Sequence, residues 1–334
     1  MDPVVTVLMP AYNCAPFIKE SVSAILNQSF KSFEFLIIND GSTDSTKENI
    51  LSYQDPRIRY YENEKNIGLI DTLNKGIGLS WGKYILRTDA DDIAMPRMIA
   101  DLVSFMETNK DYIVCGGFMK VLHNGKLMTY PTKDSALKVY TLNHCPFSHS
   151  TVIFRKSVLD DHQLLYSKAF LDGEDHGLWS EMLPYGKFYN LNKPTLLYRE
   201  SESQITSNKE YANNYKLARK RIFLLQASLY FDLDKDSGDL YSKLIAGDNI
   251  DSLEELQAVG KVLVRIRNKN LKNKLFDNRE LSNFLFIKWH WMCYHSYGLG
   301  KKAFRIYLKY MLAGGNIFRA KSILIHFIKR AKLI

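Results

Sequence analysis

Cysteine is sparse in this 334-residue chain: four residues, at positions 14, 115, 145 and 293, with no Cys-x-x-Cys pair. That scatter excludes a disulfide framework and fits a reducing compartment. Nowhere is there an uninterrupted apolar run of roughly 18–20 residues, the length a membrane-spanning helix needs. The opening MDPVVTVLMPAYN lacks a basic head and a long apolar stretch, so no secretory leader is expected there. Internal repeats and low-complexity tracts are also missing. No Gly-x-Gly-x-x-Gly follows the first apolar run, which argues against a dinucleotide-dependent oxidoreductase.

Acids are missing from one end. Residues 1–200 hold 21 Lys/Arg against 24 Asp/Glu, out of totals of 45 and 36, so residues 201–334 hold 24 against 12. From Leu281 onward there are ten Lys/Arg and no acid. The overall charge of +9 is therefore that of a slightly acidic first part and a strongly basic second. The composition is otherwise globular, with 46% hydrophobic and 13% aromatic residues, and the length suits two or so structural units.

The first 110 residues alternate strand and helix patterns. Val4–Met9 reads as a short buried strand, and Phe33–Ile38, Ile58–Tyr61 and Tyr84–Arg87 as three more strands. Pro16 opens a helical stripe of Phe17, Val22, Ile25 and Leu26, Ser42 or Thr43 can cap a second helix, and Leu69–Leu79 is a third. Such alternation predicts a parallel sheet with helices on both faces, with ligands at the carboxyl ends of the strands. From 111 to 200 short strands (Tyr112–Cys115, Lys120–His123, Thr151–Phe154, Thr195–Tyr198) mix with turns, including an Asn124-Gly125 hairpin signal and a short helix at Gly173–Leu183. After about residue 205 the pattern is helical: Tyr211–Leu229, Ser252–Ile266, Leu281–Tyr294, Lys301–Met311 and Ile317–Lys329.

Each of the first four strands ends in a polar cluster. Asp89-Ala90-Asp91 follows the fourth. Two acids there are costly unless a cation neutralises them, which a divalent ion on a diphosphate does; alternatively Asp91 or Asp92 caps the helix near Pro96. Asp40-Gly41-Ser42 follows the second strand, where an acid can accept from a base N–H or a ribose hydroxyl or simply serve a turn. Tyr12, after Pro10, can stack on a flat base or pack on the sheet edge. Asn66-Ile67-Gly68 follows the third strand as a nucleotide contact or a plain loop. Glu174-Asp175 supplies carboxylates suited to a general base or to the helix dipole. His149 is a phosphate or metal contact or an ordinary strand residue.

In this order the stretches VTVLMPAYNCAPFIKESVSAILNQSF, FEFLIINDGSTDST, NEKNIGLIDTLNKGI, GKYILRTDADDIAMPRM, HSTVIFRKSVL and GEDHGLW resemble the family 2 inverting glycosyltransferases. The resemblance spans about the first 200 residues. LLYRESESQIT resembles the end of the catalytic domain in polysaccharide-assembly members. It implies an α/β, GT-A type Rossmann-like mixed sheet flanked by helices, followed by an all-helical C-terminal region. Residues 1–110 would form the nucleotide-sugar half, 111–205 the acceptor half and 206–334 the basic helical region.

The implied activity is inverting, metal-dependent transfer of one sugar from a nucleotide-sugar, UDP-linked by family habit, to a glycan or lipid-linked acceptor in surface polysaccharide synthesis. Pro10, Tyr12 and Asp40 would line the base, with Asn66 and Gly68 nearby. Asp91 would ligand Mn²⁺ or Mg²⁺, and Asp89 would contact the metal and the ribose or sugar. Asp175 would be the catalytic base and Glu174 would position acceptor or base. His149 and His176 are candidates for a third metal ligand. The processive members' Gln-x-x-Arg-Trp motif and spanning helices are absent, which favours single-residue addition. The alternative is a non-catalytic sugar-nucleotide binder or assembly scaffold.

The basic region, alternating aromatics and aliphatics with Lys/Arg, suits an anionic membrane surface or packing on the catalytic domain or another subunit. A cytoplasmic location, peripheral on the inner face of the membrane, is the corresponding expectation. Nucleic acid is not expected, since no reader module is visible.

Overall fold

The computed structural model describes residues 3–200, 209–296 and 299–313. The expected helix Ile317–Lys329 lies outside them, as does part of the LLYRESESQIT stretch. The chain forms two compact units, residues 1–137 with 145–218, and residues 138–144 with 219–334.

In the first unit four parallel strands are laid down as the apolar runs predict: β1 (Val5–Ala11), β2 (Phe33–Asn39), β3 (Ile58–Glu62) and β4 (Tyr84–Arg87). Every residue of β2 is buried, as a strand covered on both faces must be. The crossovers are α1 (Ile18–Leu26), α2 (Thr46–Leu51) and α3 (Leu69–Leu79). Ser42 and Thr43 do not cap α2. Asp44 accepts from the Thr46 N–H, while Ser42 and Thr43 are tied to Asn13.

The remaining elements are β5 (Ile93–Ala94), α4 (Met98–Thr108), β6 (Tyr112–Val121), β7 (Leu127–Met128), α5 (Asp134–Thr141), β8 (Ile153–Arg155), α6 (Lys156–His162), α7 (Glu174–Met182) and β9 (Lys187–Tyr198). The two short strands expected at 112–115 and 120–123 are one strand. Pairing with β9 carries β6 through Gly116-Gly117 with register shifts, a tertiary override of the glycine break. Across Asn124-Gly125, with Gly125 at φ 70°, β6 turns into β7 as a hairpin. The sheet order is β3-β2-β1-β4-β8-β6-β9-β5, with β7 on β6. β8 runs antiparallel between β4 and β6, so the sheet is mixed.

Val7, Met9, Phe35, Ile37 and Leu86 pack with Val22, Ile99, Leu102 and Met106 in one apolar core. Fully burying each such side chain contributes about 1.5–3 kcal/mol. The packing holds the carboxyl ends of β1, β2, β3 and β4 along one edge.

The second unit is helical: the later part of α8 (Lys209–Phe231), then α9 (Lys235–Ala246), α10 (Leu253–Asn273), α11 (Asn278–His295) and α12 (Lys301–Ala313). Asp234, Ser252 and Asp277 cap the starts of α9, α10 and α11 with side-chain oxygens, each such cap stabilising by ~1 kcal/mol. Tyr230, Tyr241, Leu256, Ile266, Trp289 and Tyr307 fill its core. Among the described residues no helix is long and apolar enough to cross a membrane.

Candidate active site

The edge formed by the ends of β1 and β2 is built from loops that hold one another. Asn13 accepts from Thr43 N–H and its own N–H donates to Ser42 Oγ. Tyr12, beside them, is 48% exposed and offers an open aromatic face. Asp40 is buried and takes N–H bonds from Ile67 at 2.9 Å, Gly68 at 3.0 Å and the Asn63 amide at 2.8 Å. It thereby ties the Asn66-Ile67-Gly68 loop after β3 to the end of β2. Three donors occupy most of a carboxylate's acceptor capacity, so Asp40 fixes the loop at this edge.

Gly41 sits at φ 67°, and a Cβ there would lie 2.5 Å from Lys65 C and 2.6 Å from Asn66 N. Gly41→Ala is expected to lose at least about 1–2 kcal/mol from the left-handed backbone alone, with the overlap adding more. A urea titration checks this; an unchanged midpoint would show that the two loops separate freely.

At the end of β4 the chain turns through Asp89-Ala90-Asp91-Asp92. Among the described residues the carboxylates of Asp89, Asp91 and Asp92 lie within 4.8 Å of one another. No side-chain oxygen from this stretch caps α4, whose N-cap is Arg97. Instead Asp92 is buried and its Oδ1 accepts the Arg199 N–H at 3.1 Å, leaving buried Oδ2 with no hydrogen-bond partner. Burial, then the charges of Asp89 and Asp91, push the Asp92 carboxyl up to about 8.

Three crowded carboxylates with an orphaned buried oxygen are a hard-oxygen donor set of the kind a divalent ion relieves. The residues present fit such an ion. The third acid is Asp92; His149 and His176 do not join the cluster.

Arg87, buried, ends β4 and pairs with this cluster, and its charge also acts on a second group of acids, at Glu174. Its guanidinium pairs with Asp89 Oδ2 at 2.5 Å and donates to Ser150 Oγ at 3.2 Å, and Ser150 itself donates to Asp89. The neighbouring His149 contacts the Tyr166 hydroxyl at 2.8 Å, and its Nδ1 lies 3.9 Å from Glu174 Oε1. Burial and the Arg87 charge hold His149 well below its ordinary range, so it is a neutral imidazole. Glu174 is buried, and burial followed by the Asp175 charge pushes its carboxyl up to about 7. Asp175, next to it at the start of α7, is more open.

The profile described as Glycosyl transferase family 2 matches residues 6–163. A Haemophilus influenzae protein, named as an uncharacterized glycosyltransferase, is 31% identical over 309 residues, 86% of this chain and 91% of that protein. The chain belongs to glycosyltransferase family 2.

Another relative of this family 2 glycosyltransferase is the Escherichia coli UDP-Glc:alpha-D-GlcNAc-diphosphoundecaprenol beta-1,3-glucosyltransferase WfgD. It is 27% identical over 210 residues, 62% of this chain and 81% of the enzyme. Residues 1–349 of S. aureus TarS in complex with UDP-GlcNAc superpose with a TM-score of 0.61 at 17% identity, covering 92% of this chain and 90% of that one. At that identity the likeness concerns the fold, which is GT-A.

Other residues beside the candidate site escaped the sequence reading. Arg199 donates from its backbone to Asp92, from Nε to the Asp91 carbonyl at 3.0 Å and from Nη2 to Glu20 at 2.5 Å, so one side chain braces the acidic turn. Its place in LLYRES was the available signal. Asn214 on α8 donates to Asp172 Oδ2 at 2.9 Å. Tyr211, one turn earlier, stacks parallel to Tyr215 at 5.9 Å. Burial and then the charge of Asp175 raise the Tyr211 hydroxyl above its ordinary value. Nothing in the local sequence of α8 separates these from an ordinary helix face.

Proposed function

We propose that this chain is an inverting, non-processive, metal-dependent glycosyltransferase that moves one sugar from a UDP-sugar to a lipid-diphosphate-linked glycan acceptor. The observation that carries this reading is a pair of acid clusters that share the charge of buried Arg87: three carboxylates at the end of β4 and Glu174-Asp175 at the start of α7. WfgD, with a UDP donor, a diphosphoundecaprenol-linked acceptor and a β product in its name, supplies the substrate class. Residues 1–110 serve the donor and 111–205 the acceptor.

Tyr12 stacks on the base beside Pro10, and the Asp40-braced loop with Asn66 and Gly68 borders it. Asp89, Asp91 and Asp92 would hold Mn²⁺ or Mg²⁺, which when bound offsets negative charge on the leaving diphosphate. Asp175 takes the proton of the acceptor hydroxyl as that oxygen attacks the anomeric carbon from the face opposite the nucleotide, so an α-linked donor gives a β-linked product. Glu174, in its charged form, accepts from the acceptor and holds it. Tyr211 borders the same acids on the acceptor side.

The pH dependence follows from Glu174. Its carboxyl loses its charge as pH falls through about 7, and kcat/KM reports groups of the free enzyme. Activity is expected to drop on the acid side of about pH 7, with Glu174→Gln lowering kcat/KM and flattening that limb. A wild-type profile that stays flat across this range would take Glu174 out of the charged role.

The non-catalytic alternative predicts binding without turnover. UDP release from a UDP-sugar that requires added Mn²⁺ or Mg²⁺ excludes it.

A further inference from the structure

We propose that Cys145 is a positioning residue for transfer, its thiol pinning the Asp175 carboxylate in the orientation that accepts the acceptor's proton. The inference rests on the reading of Asp175 as the base.

The geometry gives each carboxylate oxygen one donor. Asp175 Oδ1 accepts the His176 N–H at 2.6 Å. Oδ2 accepts from Cys145 Sγ at 3.0 Å, with the Phe147 carbonyl as a second acceptor for the thiol at 3.4 Å. Two donors on opposite oxygens oppose rotation of a carboxylate about its last torsion, which is otherwise broad and two-fold. A base must sit within a fraction of an ångström of its productive place.

The thiol's seat is anchored. The next residue, Pro146, receives the Asn190 amide on its carbonyl at 3.0 Å, and Asn190 lies fully buried in β9. Phe147 then packs edge-on against buried Trp179 of α7 at 5.7 Å. Cys145 and Asp175 are thus held by packing between neighbouring elements rather than by a loose loop.

The chemistry of sulfur suits this position. Burial, then the Asp175 charge, raises the thiol well above its ordinary value, so it remains a neutral donor and not a competing nucleophile. S–H is also a weak donor. It orients the carboxylate while drawing off less basicity than a hydroxyl or an ammonium would.

The test compares Cys145→Ala, Cys145→Ser and Asp175→Asn in the full chain, with steady-state kinetics in both substrates and thermal midpoints. Cys145→Ala is expected to lower kcat by about ten- to a hundredfold, within the range that displacement of a positioned group produces. KM for donor and acceptor should stay unchanged. Cys145→Ser, which keeps a donor at the same place, should restore most of the loss. Adding Cys145→Ala to Asp175→Asn should cost nothing further.

A Cys145→Ala enzyme with wild-type kcat beside an inactive Asp175→Asn would overturn the inference and leave the base assignment standing. The inference would be equally overturned if kcat fell only in step with the thermal midpoint and Ser gave no rescue. Undiminished transfer by Asp175→Asn would remove the base assignment itself, and the proposed role of Cys145 with it.

Discussion

Asp175→Asn is expected to bind the nucleotide-sugar as wild type does and to lose transfer by about 10²–10⁴-fold, the contribution of a positioned general base. The substitution keeps the size of the side chain and an oxygen for the His176 N–H, so α7 should start as before. What disappears is the capacity to take a proton from the acceptor hydroxyl. In the proposed mechanism donor binding rests on the other cluster, at the end of β4, and should survive. Calorimetry with the UDP-sugar and metal, beside a transfer assay with a lipid-diphosphate-linked acceptor, separates the two properties. Transfer at the wild-type rate would remove Asp175 from the base role.

Asp91→Ala should strike the other half of the reaction. On the proposed reading, losing one of the three carboxylates weakens the cation site, and with it the neutralisation of the departing diphosphate. The expected fall in kcat is about 10²–10³-fold, the scale seen when one preorganised electrostatic contact to developing charge is removed.

A second readout does not need turnover. A donor at about a hundred times its Kd stabilises the native state by ~2.7 kcal/mol. That rise in thermal midpoint with UDP and Mn²⁺ should shrink or vanish in Asp91→Ala, and chelation by EDTA should do the same to wild type. Asp92→Asn is the informative companion. It preserves the Arg199 N–H bond to Oδ1 while replacing the buried, partnerless Oδ2 with an amide that cannot ligand a cation, so it should follow Asp91→Ala. A metal-dependent midpoint shift that survives in both variants would place the cation elsewhere.

Residues 1–110 were the more legible in the sequence. β1 to β4 and α3 follow from apolar runs punctuated by Asn-Asp-Gly and Asp-Ala-Asp, because buried parallel strands are predominantly apolar and polar residues gather where they end. The second half was read less well. β6 and β9 run far beyond their apolar segments, since a strand paired on both sides continues through Gly116-Gly117 and Asn190. α5, α6 and α9 went unread, although α9 carries local signals of its own, an Asp234 cap and an apolar stripe of Tyr241, Leu244 and Ile245. The expected Ser42 or Thr43 cap failed because both residues are held instead by Asn13, thirty positions earlier in the chain.

By itself the sequence determined the family, the alternating α/β order and the acids that border the sheet, since strand-end chemistry is a local property written in consecutive residues. Only the tertiary structure decided that Asp92 rather than a histidine completes the acid cluster, that Arg199 braces its turn, that the Arg87 charge acts on both groups of acids and that Cys145 rests on Asp175. The Arg199 and Cys145 contacts link residues 107 and 30 positions apart. Whether a buried oxygen has a partner depends on which strands lie beside each other, and no pattern along one strand carries that information.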